Sequence, residues 1–266
     1  MANYDILGNI AIMKFPENTK KGEKLKKAKQ LMKTYKNLST ILEKKEKVKG
    51  RLRTIKTSFL LGNKTKEALY KENNCFFKFN VESCYFSPRL ASERAEIAGK
   101  IKKGSRVLVM FAGVAPFAIV IGKLSKAKEI IAIELGKQCC RYAEENIKLN
   151  KLHNVKIIQG DVKKIISKGR LNVKGNLVPL RFDYVIMPRP QLKETFLKQA
   201  FQVSKTGTII YCYDFQTQEE IKQNLALSKI LEESKKAKKK IKILGQKLCG
   251  ELAPYKFRIR VDFRIL

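Results

Sequence analysis

The chain has 266 residues, the length of one large domain or two small ones. Apolar residues make up 44% of it, which is enough for a packed core and excludes wholesale disorder. The net charge of +33 predicts a polyanionic partner, and the absence of a long amphipathic helix favours nucleic acid over a membrane surface. A proteome biased toward lysine is the alternative explanation of this charge.

The cysteines and the single histidine bear on the compartment and on metal binding. The six cysteines lack the spacing of a zinc knuckle, and His153 is the only histidine. No apolar stretch approaches the ~18–20 residues of a membrane span, and the N-terminus lacks the pattern of a secretory signal. We therefore expect a cytoplasmic protein with reduced cysteines, no metal and no membrane contact.

Residues 1–80 are predicted to form a small α+β domain that recognises RNA. Residues 5–13 predict a strand interrupted by a turn, and residues 17–37 predict a lysine-rich helix. The basic face of this helix is either solvated surface or an RNA contact. Short strand-like runs follow at residues 56–61 and 75–79.

From residue 81 onward, strands alternate with helices, which predicts an α/β domain with a parallel sheet covered on both faces. The predicted strands are residues 106–111, 129–134, 155–159, 182–187 and 208–213, with an antiparallel closing strand at 257–263. A basic excursion between Val162 and Arg181 predicts a hairpin or loop. Residues 233–243 form the densest basic run.

The ends of three successive predicted strands carry a cofactor pattern. The loop 111–115 contains Gly113, whose lack of a side chain lets a ligand approach the backbone. Glu134, 21 residues further on, can accept hydrogen bonds from ribose hydroxyls, and Asp161 can accept one from an adenine amino group. One glycine does not match the three-glycine dinucleotide fingerprint, so S-adenosylmethionine is favoured over NAD. The alternative is that Gly113 is only a turn and Glu134 a surface acid.

Two runs carry a family resemblance: residues 85–94, Tyr-Phe-Ser-Pro-Arg-Leu-Ala-Ser-Glu-Arg, and residues 110–117, Met-Phe-Ala-Gly-Val-Ala-Pro-Phe. They resemble the archaeal and eukaryotic tRNA (guanine-37, N1)-methyltransferases, and the resemblance extends from about Tyr4 to the C-terminus. A sister family that transfers the aminocarboxypropyl group of the same cofactor departs from Pro-Arg-Leu, so methyl transfer is favoured.

The resemblance implies a class I, Rossmann-like S-adenosylmethionine-dependent methyltransferase domain over residues 81–266, behind the small N-terminal domain. The expected partner is the anticodon stem-loop of tRNA around position 37, bound by a monomer. The chain begins at the family's second domain, so the resemblance predicts a member without the additional domain that recognises the tRNA elbow.

The resemblance also implies residue roles. Glu93 matches the base that takes the N1 proton, and partial burial is expected to raise its pKa; the alternative is that it pairs with Arg89 on a solvated helix face. Arg53, or else Arg51, matches the arginine that stabilises O6, and Pro190 retains a family proline at the catalytic site. Cofactor binding is expected from Tyr85, Arg89, Phe111, Ala112, Gly113, Val114, Glu134, Leu135, Asp161, Val162 and Pro188. Contacts to tRNA are expected from Arg51, Arg189, Lys235, Lys236, Lys238, Lys239 and Lys240.

Three positions depart from the family pattern. Val109 stands where an aspartate is common, Ala115 replaces the second loop glycine, and Pro188 replaces an asparagine that would bind the target base. Arg189 or a backbone carbonyl would replace that contact, or the pocket is wider. These departures leave three functions open: methylation of guanosine-37 at N1, the same activity plus carbon-7 methylation of 4-demethylwyosine, or non-catalytic tRNA binding.

Overall fold

The computed structural model describes residues 3–46, 54–166, 170–173, 176–179, 181–192 and 194–266. The N-terminal part contains β1 (Asn3–Leu7), β2 (Ile10–Lys14), α1 (Lys21–Thr34), β3 (Thr40–Lys44), β4 (Thr57–Gly62), β5 (Glu67–Glu72) and β6 (Cys75–Asn80). The middle part contains α2 (Ala91–Lys100), β7 (Arg106–Met110), α3 (Pro116–Leu124), β8 (Glu129–Glu134), α4 (Lys137–Leu149), β9 (Val155–Gln159) and α5 (Val162–Ile165). The remainder contains β10 (Arg170–Val173), β11 (Asn176–Pro179), β12 (Phe182–Met187), α6 (Leu197–Gln202), β13 (Ser204–Thr217), α7 (Gln218–Lys222), α8 (Leu225–Lys236), β14 (Ile241–Ala253) and β15 (Lys256–Ile265).

The first four strands form one sheet in the order β1-β2-β3-β4. The chain turns between β1 and β2 as the sequence predicted, and α1 lies within the predicted helix. Strands β2 and β3 are parallel, so α1 is the crossover between them. Ala28 and Leu31 of α1 pack on Ala11, Met13 and Ile41 of the sheet, which gives this region its own core.

The hairpin of β5 and β6 packs against the second region of the chain. The side-chain amide of Asn146 on α4 bonds both backbone groups of Lys78, at 2.7 and 3.0 Å, and Asn150 does the same for Phe76 at 2.8 and 2.7 Å. Phe77 belongs to the same buried cluster as residues of α3 and α4. The domain boundary at residue 80 stays a prediction, and this packing favours grouping the hairpin with the catalytic domain.

A seven-stranded sheet in the order β14-β15-β13-β12-β7-β8-β9 forms the centre of the second region. The strands β7, β8, β9, β12 and β13 are parallel, and β15 pairs antiparallel with β13, as predicted for the closing strand. Val107 and Val109 face the core beneath α2, α3 and α4, whereas Leu108 and Met110 face the core on the side of α6 and α8. The predicted α/β class is confirmed.

Two further observations concern the predictions from composition. All six cysteines are unpaired, and all but Cys249 are buried. Among the described residues, no helix is long and apolar enough to cross a membrane.

The predicted excursion after Val162 contains the antiparallel pair of β10 and β11.

Candidate active site

A cavity opens at the carboxyl ends of the parallel strands, where open α/β sheets bind their ligands. The residues that line it come from the segment before α2 and from α2 itself, from the ends of β7, β8, β9 and β12, from the starts of α3, α4 and α5, and from β13 and β15. They include Tyr85, Phe111, Gly113, Glu134, Pro188 and Tyr213. The strand ends identified in the sequence therefore meet at one site.

The loop after β7 has an unusual backbone. Phe111, Gly113 and Ala115 have φ values of 57°, 59° and 64°, in the left-handed region. A bulky residue such as Phe111 is disfavoured there, and such conformations cluster at ligand sites. The loop is fixed at the sheet by a 2.9 Å hydrogen bond from the Ala112 N–H to the Ile133 carbonyl. It turns the chain from β7 into α3 and presents Gly113 to the cavity.

The Glu134 carboxylate is held in place by the backbone N–H groups of two glycines. Its Oε2 accepts a 2.8 Å hydrogen bond from the Gly113 N–H, and its Oε1 accepts a 2.7 Å bond from the Gly136 N–H. Each carboxylate oxygen can accept a further bond. The carboxylate is thus oriented toward the cavity with capacity for the two hydroxyls of a ribose.

Replacing Glu134 by alanine should weaken S-adenosylmethionine binding by about 1–3 kcal/mol, because the ribose hydroxyls that we expect it to bind would lose a charged acceptor. Isothermal titration with the cofactor measures this change. Glu145→Ala is the control, since that glutamate lies on α4, has a side chain that is 41% exposed, and contacts Lys78 and Arg141. Unchanged affinity in Glu134→Ala would remove Glu134 as the ribose ligand.

Asp161 follows β9 and caps α5. Its Oδ1 accepts a 2.8 Å hydrogen bond from the Lys163 N–H. Its neighbours Gly160 and Val162 line the cavity. The contact of Asp161 with adenine stays a prediction, and its position at the strand end is as the sequence predicted.

Glu93 lies in the first turn of α2 and is only 3% exposed. Its Oε2 accepts a 2.5 Å bond from Nη1 of Arg260 and a 3.0 Å bond from the Tyr213 hydroxyl, while Lys247 contacts Oε1. Arg260 and Lys247 also bind Glu96, one turn further along α2. The carboxylate is therefore enclosed by two cations and a phenol.

This environment corrects the expected pKa of Glu93. Burial opposes ionisation, but the hydrogen bond from Lys247, the charge of Arg260 and the Tyr213 hydroxyl together outweigh it. The pKa of Glu93 lies below its usual value, where the sequence led us to expect a raised one. The alternative of a pair with Arg89 on a solvated face is also wrong, because Arg89 lies 3.6 Å from Asp5 instead.

Three expected cofactor residues, Arg89, Val114 and Asp161, are not among the described residues that line the cavity. The Arg89 side chain is 70% exposed and points to β1. Val114 is fully buried in the core beneath α3. In contrast, Leu135, Pro188 and Pro190 do line the cavity. Ser87 precedes a short 3-10 helix that starts at Pro88, and its side chain makes no capping bond.

Arg189 lines the cavity, where neighbouring groups of the chain bind its guanidinium, and its expected contact with tRNA stays a prediction. Its guanidinium pairs with Asp214 and donates to the carbonyls of Tyr213, Leu192 and Glu194 at 3.1, 2.8 and 3.0 Å. The residue is 6% exposed. Four of its five N–H groups are engaged in these bonds, so it fixes the loop after β12.

The lysine run lies away from the cavity. Lys235 and Lys236 end α8, and β14 then starts at Ile241, which pairs with Ile265. Because Arg264 pairs with Ile209 early in β13, this end of the hairpin is at the amino edge of the parallel strands. The run and the cavity are therefore on opposite edges of the sheet.

The sequence did not settle whether Arg51 or Arg53 stabilises O6. It also did not identify several residues that line the cavity. Arg51 and Arg53 lie outside the described residues. Arg94, Cys139 and Arg258 line the cavity but were not predicted to do so. Arg94 directly follows Glu93 in the run that carries the resemblance, which is the only signal that could have identified it.

Comparison with known proteins places these features in a family. Residues 68–244 match the TRM5/TYW2 methyltransferase domain. The chain is 33% identical over 263 residues to tRNA (guanine(37)-N(1))-methyltransferase Trm5b of Pyrococcus abyssi, covering 99% of this chain and 74% of that protein. The crystal structure of that protein superposes with a TM-score of 0.84 at 32% identity, over 99% of this chain and 74% of that one.

Two further relatives bear on substrate and partner. The tRNA (guanine(37)-N(1))/4-demethylwyosine(37)-methyltransferase Taw22 of Nanoarchaeum equitans is 30% identical over 306 residues, covering 99% of this chain and 100% of that protein. A complex of aTrm5 with tRNALeu superposes with a TM-score of 0.82 at 26% identity, over 99% of this chain and 72% of that one. The chain belongs to the TRM5/TYW2 family of S-adenosylmethionine-dependent tRNA methyltransferases.

Proposed function

We propose that the protein transfers the methyl group of S-adenosylmethionine to N1 of guanosine-37 in tRNA. The observation that carries this proposal is that a single cavity lies between the carboxylates of Glu134 and Glu93. Glu134 at the end of β8 suits the cofactor ribose, and Tyr213, which donates to Glu93, lines the same cavity. The named activity of the Pyrococcus abyssi relative supports the same assignment.

The residues suggest how the N1 proton leaves. Methylation forms the N1–carbon bond, breaks the sulfur–carbon bond and releases the proton of N1. Tyr213 is 1% exposed and lies between the cavity and Glu93. Its oxygen accepts the N1 proton while its own proton passes to Glu93. Arg260 and Lys247 keep Glu93 ionised and ready to receive it.

A second candidate activity is carbon-7 methylation of 4-demethylwyosine. Pro188 lines the cavity where the family has a base-binding asparagine. A site without those directional bonds discriminates less strongly between base shapes. The Nanoarchaeum equitans relative is named for both activities, which supports a bifunctional enzyme.

Nucleoside mass analysis of tRNA incubated with enzyme and cofactor tests both activities. Unmodified tRNA should gain one methyl as 1-methylguanosine at position 37. A second tRNA that carries the tricyclic base should gain one methyl only if the enzyme is bifunctional. Absence of methylation together with absence of cofactor binding would instead support a non-catalytic tRNA-binding protein.

The lysine run should contribute to tRNA affinity through phosphates distant from position 37. Replacing the exposed Lys235, Lys238 and Lys240 by glutamine should flatten the slope of log affinity against log salt by about 2–3, because fewer counterions are released. Filter binding across a salt series measures the slope. Lys236→Gln is the control, since Lys236 already pairs with Glu232 and Glu233 at 2.8 and 2.9 Å. An unchanged triple-variant slope would identify the run as solvated surface.

A further inference from the structure

Arg258 is a buried cation in the cavity wall. It lies on β15, is 6% exposed and lines the cavity. Its guanidinium stands 5.3 Å from the ring centre of Phe215. Within the described part of the chain, no carboxylate pairs with it and no hydrogen bond engages it, whereas Arg94, Arg189 and Arg260 each bind a carboxylate.

A buried guanidinium without a partner is costly unless an anion compensates its charge. The neighbouring aromatic ring of Phe215 offsets only a small part of that cost. An anion that enters the cavity would supply the partner that the described residues do not provide.

The register of the sheet places Arg258 near the mouth of the cavity. Arg258 pairs with Phe215 and Arg260 pairs with Tyr213, so the two arginines lie on one face in successive positions. Tyr255, at the hairpin turn beyond Arg258, is 73% exposed, whereas Arg260 is 2% exposed. Arg258 thus stands between solvent and the Glu93 cluster.

Two anions could bind Arg258, the carboxylate of the cofactor and a phosphate of the RNA. The strand order distinguishes between them. The strands β13, β12 and β7 lie between β15 and β8, so Arg258 and Glu134 are separated by four strand spacings, or about 19 Å at ~4.8 Å each. Arg258 is thus at the opposite end of the cavity from the cofactor ribose. In the proposed function the target base must reach Tyr213 deep in the cavity, which would leave its phosphodiester at the mouth.

We propose, on the basis of the proposed function, that Arg258 binds a phosphate flanking the target nucleotide. The guanidinium fork suits two phosphate oxygens, and the contact fixes the backbone while the base occupies the cavity. Arg258 is therefore a positioning residue, since it holds the substrate and does not touch the reacting atoms.

The first experiment measures methylation of an anticodon stem-loop RNA by Arg258→Ala and Arg258→Lys. We expect KM for the RNA to rise about 10- to 100-fold in Arg258→Ala, with an intermediate rise in Arg258→Lys. The kcat value and the cofactor affinity should change little. Arg264→Ala is the matched control, because it removes the same charge from an exposed position at the other end of β15.

The second experiment uses stem-loops in which one phosphate beside position 37 is a neutral methylphosphonate. At the phosphate that Arg258 binds, the modification should raise KM for the wild-type enzyme and not for Arg258→Ala. Weakened cofactor binding in Arg258→Ala would assign the residue to the cofactor carboxylate and overturn the proposal. A fall in kcat without a rise in KM would also overturn it, since it would place Arg258 at the base.

Wild-type controls separate this proposal from the proposed function. Should the wild-type enzyme fail to form 1-methylguanosine in the stem-loop, the proposed function fails. If it forms the product and the methylphosphonate effect is the same in wild type and Arg258→Ala at both flanking phosphates, only the role of Arg258 is wrong. Thermal unfolding of each variant identifies any loss of fold.

Discussion

Replacing Glu93 by glutamine should lower the methylation rate about 10²–10⁴-fold, while cofactor and tRNA affinities change little. Glutamine keeps the shape of the side chain and can still accept the hydrogen bond of Tyr213, but it cannot take up the proton. Single-turnover methylation of guanosine-37 measures this effect directly, because it separates the chemical step from product release.

Glu96→Gln is the matched control for Glu93→Gln. Glu96 binds the same Arg260 and Lys247, so this variant also removes a carboxylate from the cluster. Glu96 has no bond to Tyr213 in the described structure, and its variant should keep the rate within about tenfold of wild type. Near wild-type turnover of Glu93→Gln, or equal losses in both variants, would remove Glu93 from the proton path.

The lowered pKa of Glu93 also predicts the acidic side of the activity profile. A carboxylate whose pKa lies below its ordinary value of 4.5 stays ionised until the pH falls below that value. Its contribution to folding is therefore present above the unfolded pKa and is lost as the pH falls through the folded one. The loss of rate that protonation of Glu93 causes should accordingly have its midpoint below pH 4.5, which a pH–rate profile measures.

The parallel strands could be predicted because burial on both faces gives continuous apolar runs. Residues 129–134 are such a run, and β8 has the predicted bounds. Strand β14 was missed, because it is the edge strand of the sheet and most of its residues are exposed. Its lysines and glycines hide the alternation that marks a half-buried strand.

The cofactor end of the site was more predictable than the acceptor end. The position of Glu134 follows from local sequence, since it ends a strand whose neighbour carries the loop. The surroundings of Glu93 are set by Lys247 and Arg260, which lie 154 and 167 residues away in the chain. Such pairs arise only when β14 and β15 fold over α2, so the direction of the pKa shift could not be read from local sequence.

The same kind of long-range pair holds α2 against the β5–β6 hairpin. Arg94 is 1% exposed, and its Nη2 donates to Glu72 at 2.6 Å and to the Ser87 carbonyl at 3.0 Å. Its Nε also donates to Glu72, so the pair is bidentate. Because Arg94 lines the cavity and is adjacent to Glu93, this pair fixes the helix turn from which Glu93 reaches Tyr213.

Replacing Arg94 by methionine should lower the free energy of unfolding by about 3–5 kcal/mol, because it leaves the Glu72 carboxylate buried and unpaired. Urea unfolding measures the change. The double variant Glu72→Met/Arg94→Met should recover most of the loss, since two apolar side chains then replace the ion pair. Arg141→Met is the surface control and should cost less than about 1 kcal/mol, because Arg141 is 59% exposed and lies 3.8 Å from Glu145. A single variant within about 1 kcal/mol of wild type would show that Glu72 finds another partner or is hydrated.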